Sequence, residues 1–202
     1  MDFWNNILDE NILKTNVDFA AMFVLNYECL KDYVINQIRE FYSDYIKFEG
    51  DRPIYKESKA YKDEVRSLDK NIENASLKWF IQSKAITQSD YDTYQIIRER
   101  RNDITHELLK NLNEGFTEAD ATLFSDLLLI YSKLDKWWIN EIEIPISGED
   151  VPDDYDREGV CGGQAMVLSI INSIILAGKG DEYKDLLKAI SEMNNSKKKL
   201  YM

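Results

Sequence analysis

The chain has 202 residues, 44% of them hydrophobic and 31% charged, and its formal net charge is −12. This composition excludes an intrinsically disordered chain, and the length is sufficient for one folded domain or for one domain with an added lobe. The excess of acid disfavours general binding to nucleic acid or to anionic membranes. Any nucleic-acid role therefore requires a local positive patch.

Helix-breaking residues are scarce, with eight glycines and three prolines, and apolar residues recur at helical spacing. These features predict an all-α fold, a helical bundle with an additional C-terminal helical pair. We expect the bundle over residues 1–145, an acidic linker loop over 146–160, and C-terminal helices with a basic tail over 161–202. The pair itself is predicted at about 162–178 and 181–194.

The first long helix is predicted to be capped by Thr15 or Asn16 and to run to about Phe48. The stretch "EGDRP" (49–53) ends this helix, and a second, more exposed helical region is predicted over about 54–72. The predicted inward-facing residues of the long helix are Val17, Ala20, Ala21, Val24, Tyr27, Leu30, Val34, Ile38, Phe41 and Tyr45.

A short helix is predicted over 75–85, and the helix that follows it carries the most unusual sequence of the chain. This motif-bearing helix is predicted as one element over roughly 88–112, and Thr87 and Asp90 resemble a capping pair at its start. Gly115 is its predicted terminator.

The next predicted helix opens at Thr117 and Asp120, which again resemble a capping pair. This helix must end before Pro145, because proline disrupts a helix interior. Trp137 and Trp138 near its end are expected to belong to the core or to an interface.

The two cysteines, Cys29 and Cys161, have neither the spacing of a disulfide framework nor that of a zinc site, and we expect buried thiols. The uncharged stretch 161–178 has a strongly apolar part that is too short for a membrane span, which favours a buried helix. The amino terminus lacks the basic start and apolar run of a signal peptide, so we expect a cytoplasmic protein with no membrane partner.

The stretch "RNDITH" (101–106) contains the single histidine of the chain, His106. On a helix, Asn102 and His106 share a face, whereas Arg101 and His106 are about 140° apart. One helix therefore does not present Arg101 and His106 to one small ligand, but two copies related by a two-fold axis could do so. The spacing favours a homodimer, with His106 in a groove and not in the core.

These residue types suit phosphate chemistry. Histidine can give or take a proton near neutral pH, arginine offers a planar fork of donors to phosphate oxygens, and asparagine can orient either group. No metal ligands accompany the motif, so neither a metal nor a cofactor is expected. Arg98 and Arg100 extend the positive patch and are candidate substrate-binding residues. The alternative interpretation is a solvated helix face without a function.

The motif resembles the signature of the HEPN superfamily in its Arg-Asn-x-x-x-His form, and the similarity covers roughly residues 16–142. The resemblance implies a metal-independent endoribonuclease that acts as a dimer on RNA, with His106 as acid/base and Arg101 as the phosphate-contacting residue. Asn102 takes the polar position after the arginine. The RNA 2′-hydroxyl would attack the adjacent phosphate and leave a cyclic phosphate, so DNA should not be cut.

The resemblance also suggests a biological role, since many relatives are toxins or phage-defence effectors. A partner antitoxin or regulatory protein is therefore expected. Relatives that are silenced by adenylylation carry a tyrosine two residues after the histidine, where this chain has Leu108, so that form of control should be absent. Two alternatives remain: a non-catalytic HEPN-like module that binds a protein or a nucleotide, and a plain helical scaffold.

Overall fold

Helices account for most of the computed structural model, which describes residues 5–49, 52–148 and 150–177. The predicted all-α fold is confirmed. The chain divides into two compact units, residues 1–161 and residues 162–202. The first helix of the predicted C-terminal pair is present in the second unit, and the region predicted for the other, 181–194, lies outside the described residues.

The first unit contains eight helices and one hairpin in its described part. In chain order, the elements of the two units are α1 (Asn5–Leu8), α2 (Glu10–Phe41), β1 (Ser43–Glu49), β2 (Arg52–Glu57), α3 (Lys59–Glu64), a 3-10 turn (Arg66–Leu68), α4 (Ile72–Gln82), α5 (Gln88–His106), α6 (Leu108–Glu114), α7 (Glu118–Trp138), a π-helical turn (Ile139–Glu143), α8 (Ile144–Ser147) and, in the second unit, α9 (Gly163–Ala177).

Helix α2 begins earlier than the sequence predicts. Asp9 is its N-cap, and its carboxylate accepts hydrogen bonds from the backbone N–H groups of Asn11 and Ile12. The predicted cap at Thr15 or Asn16 is therefore wrong. Asn16 is instead buried within the helix, where its side-chain amide donates to the carbonyl of Leu112 at 2.9 Å and joins α2 to α6.

An antiparallel hairpin replaces the predicted end of the first helix and the start of the second helical region. Strands β1 and β2 pair with Ile46 opposite Tyr55 and Glu49 opposite Arg52. The stretch is rich in aromatic and β-branched residues, which favour strands, and it contains Pro53, which is tolerated at a sheet edge. The helical spacing continued by chance into this stretch, so the predicted extension to about Phe48 is wrong.

The predicted helix over 88–112 is also interrupted. Helix α5 ends at His106, Glu107 has non-helical backbone angles (φ −116°, ψ 36°), and α6 starts at the next residue. The amide of Asn111 stabilises this break by donating to the carbonyls of Asp103 and Glu107 at 3.1 and 3.0 Å. Gly115 follows α6 with a φ of 81°, as expected of a helix terminator.

The two predicted capping boxes are confirmed, Thr87 with Asp90 and Thr117 with Asp120. The helix that opens at Thr117 ends at Trp138, before Pro145, as predicted. A π-helical turn follows α7, and a new helix, α8, accommodates Pro145 in its first turn, where the missing N–H is not needed.

A buried carboxylate lies where α2, α4 and α5 meet. Glu73 of α4 is 7% exposed, and one of its oxygens accepts hydrogen bonds from the hydroxyls of Tyr27 and Tyr94, each at 2.7 Å. Arg98 lies 3.9 Å from the other oxygen. Burial and the neighbouring carboxylate raise the pKa of both tyrosines, so both stay protonated and act as donors.

The core around this cluster is aromatic and aliphatic. Leu77 and Phe80 of α4 are fully buried, and Trp138 is buried while Trp137 is partly exposed. The expectation of buried thiols is wrong, since Cys29 is partly exposed and Cys161 is exposed. Across the described ranges, no helix is long and apolar enough to cross a membrane.

Replacing Glu73 with alanine should lower the free energy of unfolding by about 3 kcal/mol, because two buried hydroxyls lose their acceptor. The exposed Glu99 provides the control, and Glu99→Ala should change stability by less than about 0.5 kcal/mol. Urea unfolding followed by circular dichroism measures both. Equal losses in the two variants would contradict a stabilising role for the Glu73 cluster.

Candidate functional site

The motif occupies the last two turns of α5. Ile104, in the middle of the motif, is fully buried and fixes the inner face of the helix. His106 is the last helical residue and is exposed, as the prediction that it lies outside the core requires. Within the described part of the chain it has no hydrogen-bond or ion-pair partner, so the imidazole is accessible to a ligand.

Arg101 is directed instead towards α2. Its guanidinium forms an ion pair with Glu28, donates to the side-chain oxygen of Asn102 at 2.9 Å, and lies over the ring of Tyr27 at 5.4 Å from the centroid. The Nε atom of Arg101 is buried and has no hydrogen-bond partner. The arginine is thus positioned by a carboxylate, an amide and an aromatic face before any ligand arrives.

Glu28 is a site residue that the sequence did not reveal. It lies 73 positions before Arg101, and nothing in the residues around it marks the contact. Burial raises the pKa of this carboxyl, but the hydrogen bond from Lys31 and the charge of Arg101 outweigh burial, so the pKa is lowered overall. Glu28 is therefore ionised at neutral pH and neutralises much of the charge of Arg101.

Arg98, a predicted substrate-binding residue, contacts the Glu73 cluster. Its guanidinium donates to the side-chain oxygen of Asn74 at 3.0 Å and lies 3.9 Å from Glu73, and its side chain is 28% exposed. The buried carboxylate and the neighbouring amide fix this arginine between α4 and α5. Its substrate-binding role stays a prediction.

Arg100, the other predicted substrate-binding residue, is held still more closely. It donates to Asp120 at 2.5 Å and to Asn111 at 2.8 Å, and it lies 5.6 Å from the ring centroid of Phe116. The hydrogen bonds from Arg100 and Thr117 lower the pKa of Asp120 despite its burial, which favours the ionised pair. Arg100 therefore joins α5 to α6 and α7, and its role towards substrate stays a prediction.

The structure brings Arg101 and Asn102 together but does not join either to His106. No hydrogen bond links His106 to them among the described residues, and Arg101 packs against α2 while His106 is exposed. This separation agrees with the divergence expected from helical geometry. Within one subunit, the three motif residues do not form a closed catalytic unit.

An apolar groove with a volume of about 590 Å³ lies beside the motif, between α2 and the α5–α6 segment. Several residues predicted to face the core of the bundle line it, among them Val17, Ala21 and Val24. The groove is lined by Val17, Ala20, Ala21, Val24, Leu25, Glu28, Ile104, Thr105, Leu108 and Leu112.

The described residues contain no group of three or more histidine, cysteine or acidic side chains arranged to hold a metal ion. Comparison of the chain with family models, curated proteins and solved structures finds no match.

The ion pair between Glu28 and Arg101 should make stability depend on pH. Because the folded-state pKa of Glu28 is lowered, its contribution is complete above the ordinary value of 4.5 and is lost as the pH falls through the folded value. The difference in unfolding free energy between the wild type and Glu28→Gln should therefore shrink between pH 7 and pH 3. Urea titrations at several pH values measure this difference.

Glu99→Gln is the matched control, since Glu99 lies at an exposed site with no ion pair in the described part of the chain. If Glu99→Gln showed the same pH-dependent difference, the effect would reflect the net charge of the chain and not the pair with Arg101. A pH-independent difference for Glu28→Gln would also contradict the prediction.

Proposed function

We propose that this chain is a metal-independent endoribonuclease of the HEPN type, with His106 as acid/base and Arg101 as the phosphate-contacting residue of a cleft shared by two subunits. The observation that carries the proposal is an accessible histidine at the end of α5, about 1.4 turns after an arginine that is already positioned. A toxin or phage-defence role would follow from the same resemblance.

The proposed reaction needs one proton acceptor and one proton donor. The RNA 2′-hydroxyl gives its proton to a base and attacks phosphorus, the bond from phosphorus to the 5′-oxygen breaks, and that oxygen takes up a proton. The products are a 2′,3′-cyclic phosphate and a 5′-hydroxyl. In a two-fold dimer, His106 and His106 of the partner subunit supply one acceptor and one donor.

Arg101 would stabilise the charge that develops on the phosphate. The pairs with Glu28 and Asn102 use one donor on each terminal nitrogen of the guanidinium, and the other donor of each nitrogen can serve a phosphate. The carboxylate of Glu28 lowers the net positive charge of the site, so Glu28 and the phosphate compete for Arg101. We therefore expect weak binding to RNA fragments too short to contact other parts of the dimer.

The apolar groove supports a dimer that forms beside the motif. Leu25, Leu108 and Leu109 are 37%, 44% and 59% exposed, and they flank α5 at the end that carries His106. Burial of such side chains is the main favourable term in protein association. A two-fold contact is isologous, so these residues would pack against the same residues of a second copy.

The alternative function is a non-catalytic module that binds a regulatory protein or a nucleotide. The ion pairs of Arg98, Arg100 and Arg101 favour it, because all three arginines already contact carboxylates of the same chain. The accessible and unpartnered His106 favours the ribonuclease.

Purified protein should cleave single-stranded RNA in the presence of a chelator, and Arg101→Ala and His106→Ala should each lower the rate by about 10² or more. An RNA with a 2′-deoxy residue at the cleavage position should resist cleavage. Gel electrophoresis measures the rate, and mass spectrometry identifies the cyclic phosphate.

Lys110→Ala is the control for loss of a positive charge, since Lys110 is exposed and pairs only with Glu107 on the adjacent turn in the described part of the chain. It should keep nearly full activity. Circular dichroism should show that all variants fold. Cleavage that persists in both motif variants would exclude this site, and absence of any cleavage by the wild type would favour the binding module.

Leu109→Glu should convert a dimer into a monomer, because it places a charge in the contact beside the motif. Light scattering after size exclusion measures the mass, and Ile146→Glu, at an exposed position of α8, should leave the dimer intact. Mixing Arg101→Ala with His106→Ala subunits should restore part of the activity. A fully active monomer would contradict the shared cleft.

A further inference from the structure

A second cleft, remote in sequence from the motif, combines positive charge with an aromatic ring. It has a volume of about 440 Å³ and lies between the end of α7, the π-helical turn and the segment that includes residues 157–158. Lys133, Lys136 and Arg157 line it together with the partly exposed Trp137. We call it the basic cleft. Glu141 and Glu158 also line it, so its cations exceed its acids by one, in a chain with a net charge of −12.

The wall of the basic cleft is fixed in place. Asn140, in the π-helical turn, is 8% exposed, and its amide donates to the carbonyls of Lys136 and Arg157 at 2.8 and 3.0 Å. Its side-chain oxygen accepts a hydrogen bond from the hydroxyl of Tyr155 at 2.9 Å. One buried asparagine therefore joins the loop to the helix. π-Helical turns are rare and occur frequently at functional sites.

Acidic side chains at the cleft differ in how firmly they hold the cations. Lys133 pairs at 2.6 Å with Asp90, which is only 13% exposed, and Arg157 pairs with Glu141. Lys136 pairs with Glu158 at 3.3 Å, and Glu158 is 87% exposed. An exposed pair of this kind contributes little stability, so an incoming anion can displace Glu158 at small cost.

The aromatic side chain of the basic cleft indicates which group, besides an anion, a ligand of this cleft would carry. Trp137 packs edge-on against Trp79 and Phe80 in the core, with ring centroids 6.0 Å apart in each pair, and this support holds the indole in place. Its exposed part lies among lysines. Planar rings stack on such indoles, and lysine and arginine bind phosphate oxygens. The cleft volume is within the usual range for small-molecule sites, about 300–1,000 Å³.

We propose that the basic cleft binds a phosphorylated ligand with an aromatic ring, of the nucleoside monophosphate class. The ring stacks on Trp137, and the phosphate binds Lys136 and its neighbouring cations. Glu158 occupies the phosphate position when the ligand is absent. The site uses none of the motif residues, so it stands independently of the ribonuclease proposal.

The test uses the full chain and three probes: adenosine 5′-monophosphate, adenosine, and inorganic phosphate. Calorimetry gives the dissociation constants, and tryptophan fluorescence reports on the ring. Adenosine monophosphate should bind saturably and at least about tenfold more tightly than either fragment. Equal affinity for phosphate would overturn the stacking of the ring, and equal affinity for adenosine would overturn the phosphate site. Absence of saturable binding by adenosine monophosphate would overturn the whole proposal.

Two variants locate the site. Lys136→Met should weaken binding about tenfold, while Lys70→Met, which removes an exposed lysine elsewhere, should not. Glu158→Gln should tighten binding about threefold, and Asp153→Asn, the same change of charge in the same loop but away from the cleft lining, should not. Unchanged affinity in Lys136→Met would place the ligand elsewhere and overturn the proposal. Unchanged affinity in Glu158→Gln would overturn the role of Glu158 as an internal competitor.

Discussion

The buried carboxylate of Glu73 sets the arrangement of the helices that carry the motif. It accepts hydrogen bonds from Tyr27 of α2 and Tyr94 of α5, and its other oxygen faces Arg98. A buried charge is costly unless it is paired and hydrogen-bonded, so rotations of α5 that break these contacts are unfavourable. The ring of Tyr27 also lies beneath Arg101, so this tyrosine contacts both the core carboxylate and the motif arginine.

Whereas Glu73 fixes the position of α5, the break at Glu107 ends α5 at His106 and leaves that residue exposed. Had the helix continued to about 112, Leu108, four residues after Ile104, would have followed the inner face. In the structure Leu108 and Leu109 are both exposed, and His106 lies at a helix end. The same helix thus presents an arginine paired with Glu28 of α2 and a histidine that has no partner among the described residues, two environments that the proposed shared cleft would have to combine.

The parts of this structure that follow a known local motif could be predicted from the sequence, and the parts that follow no such motif could not. The capping boxes at Thr87 and Thr117 and the terminator at Gly115 follow from neighbouring residues. The break at Glu107 is stabilised by the amide of Asn111, a contact that helical spacing does not reveal. The aromatic and β-branched residues of the hairpin also fit the spacing of a helix, so the sequence alone favoured a helix there. The pair between Glu28 and Arg101 joins residues 73 positions apart, so the motif could be identified without its carboxylate partner.

The ion pairs of the three arginines at 98–101 limit how this acidic chain could bind RNA. In the sequence, "RERR" (98–101) is a positive patch, but in the structure its three arginines contact Glu73, Asp120 and Glu28. Under the proposed function, RNA affinity at this site would therefore come from exchange of a carboxylate for a phosphate, and not from unpaired cations. Of the three carboxylates, Glu28 is the most exposed, at 33% against 10% for Glu73 and 8% for Asp120. Because solvent and ligands reach Glu28 more easily than the two buried acids, the proposed function assigns the exchange of carboxylate for phosphate to Arg101.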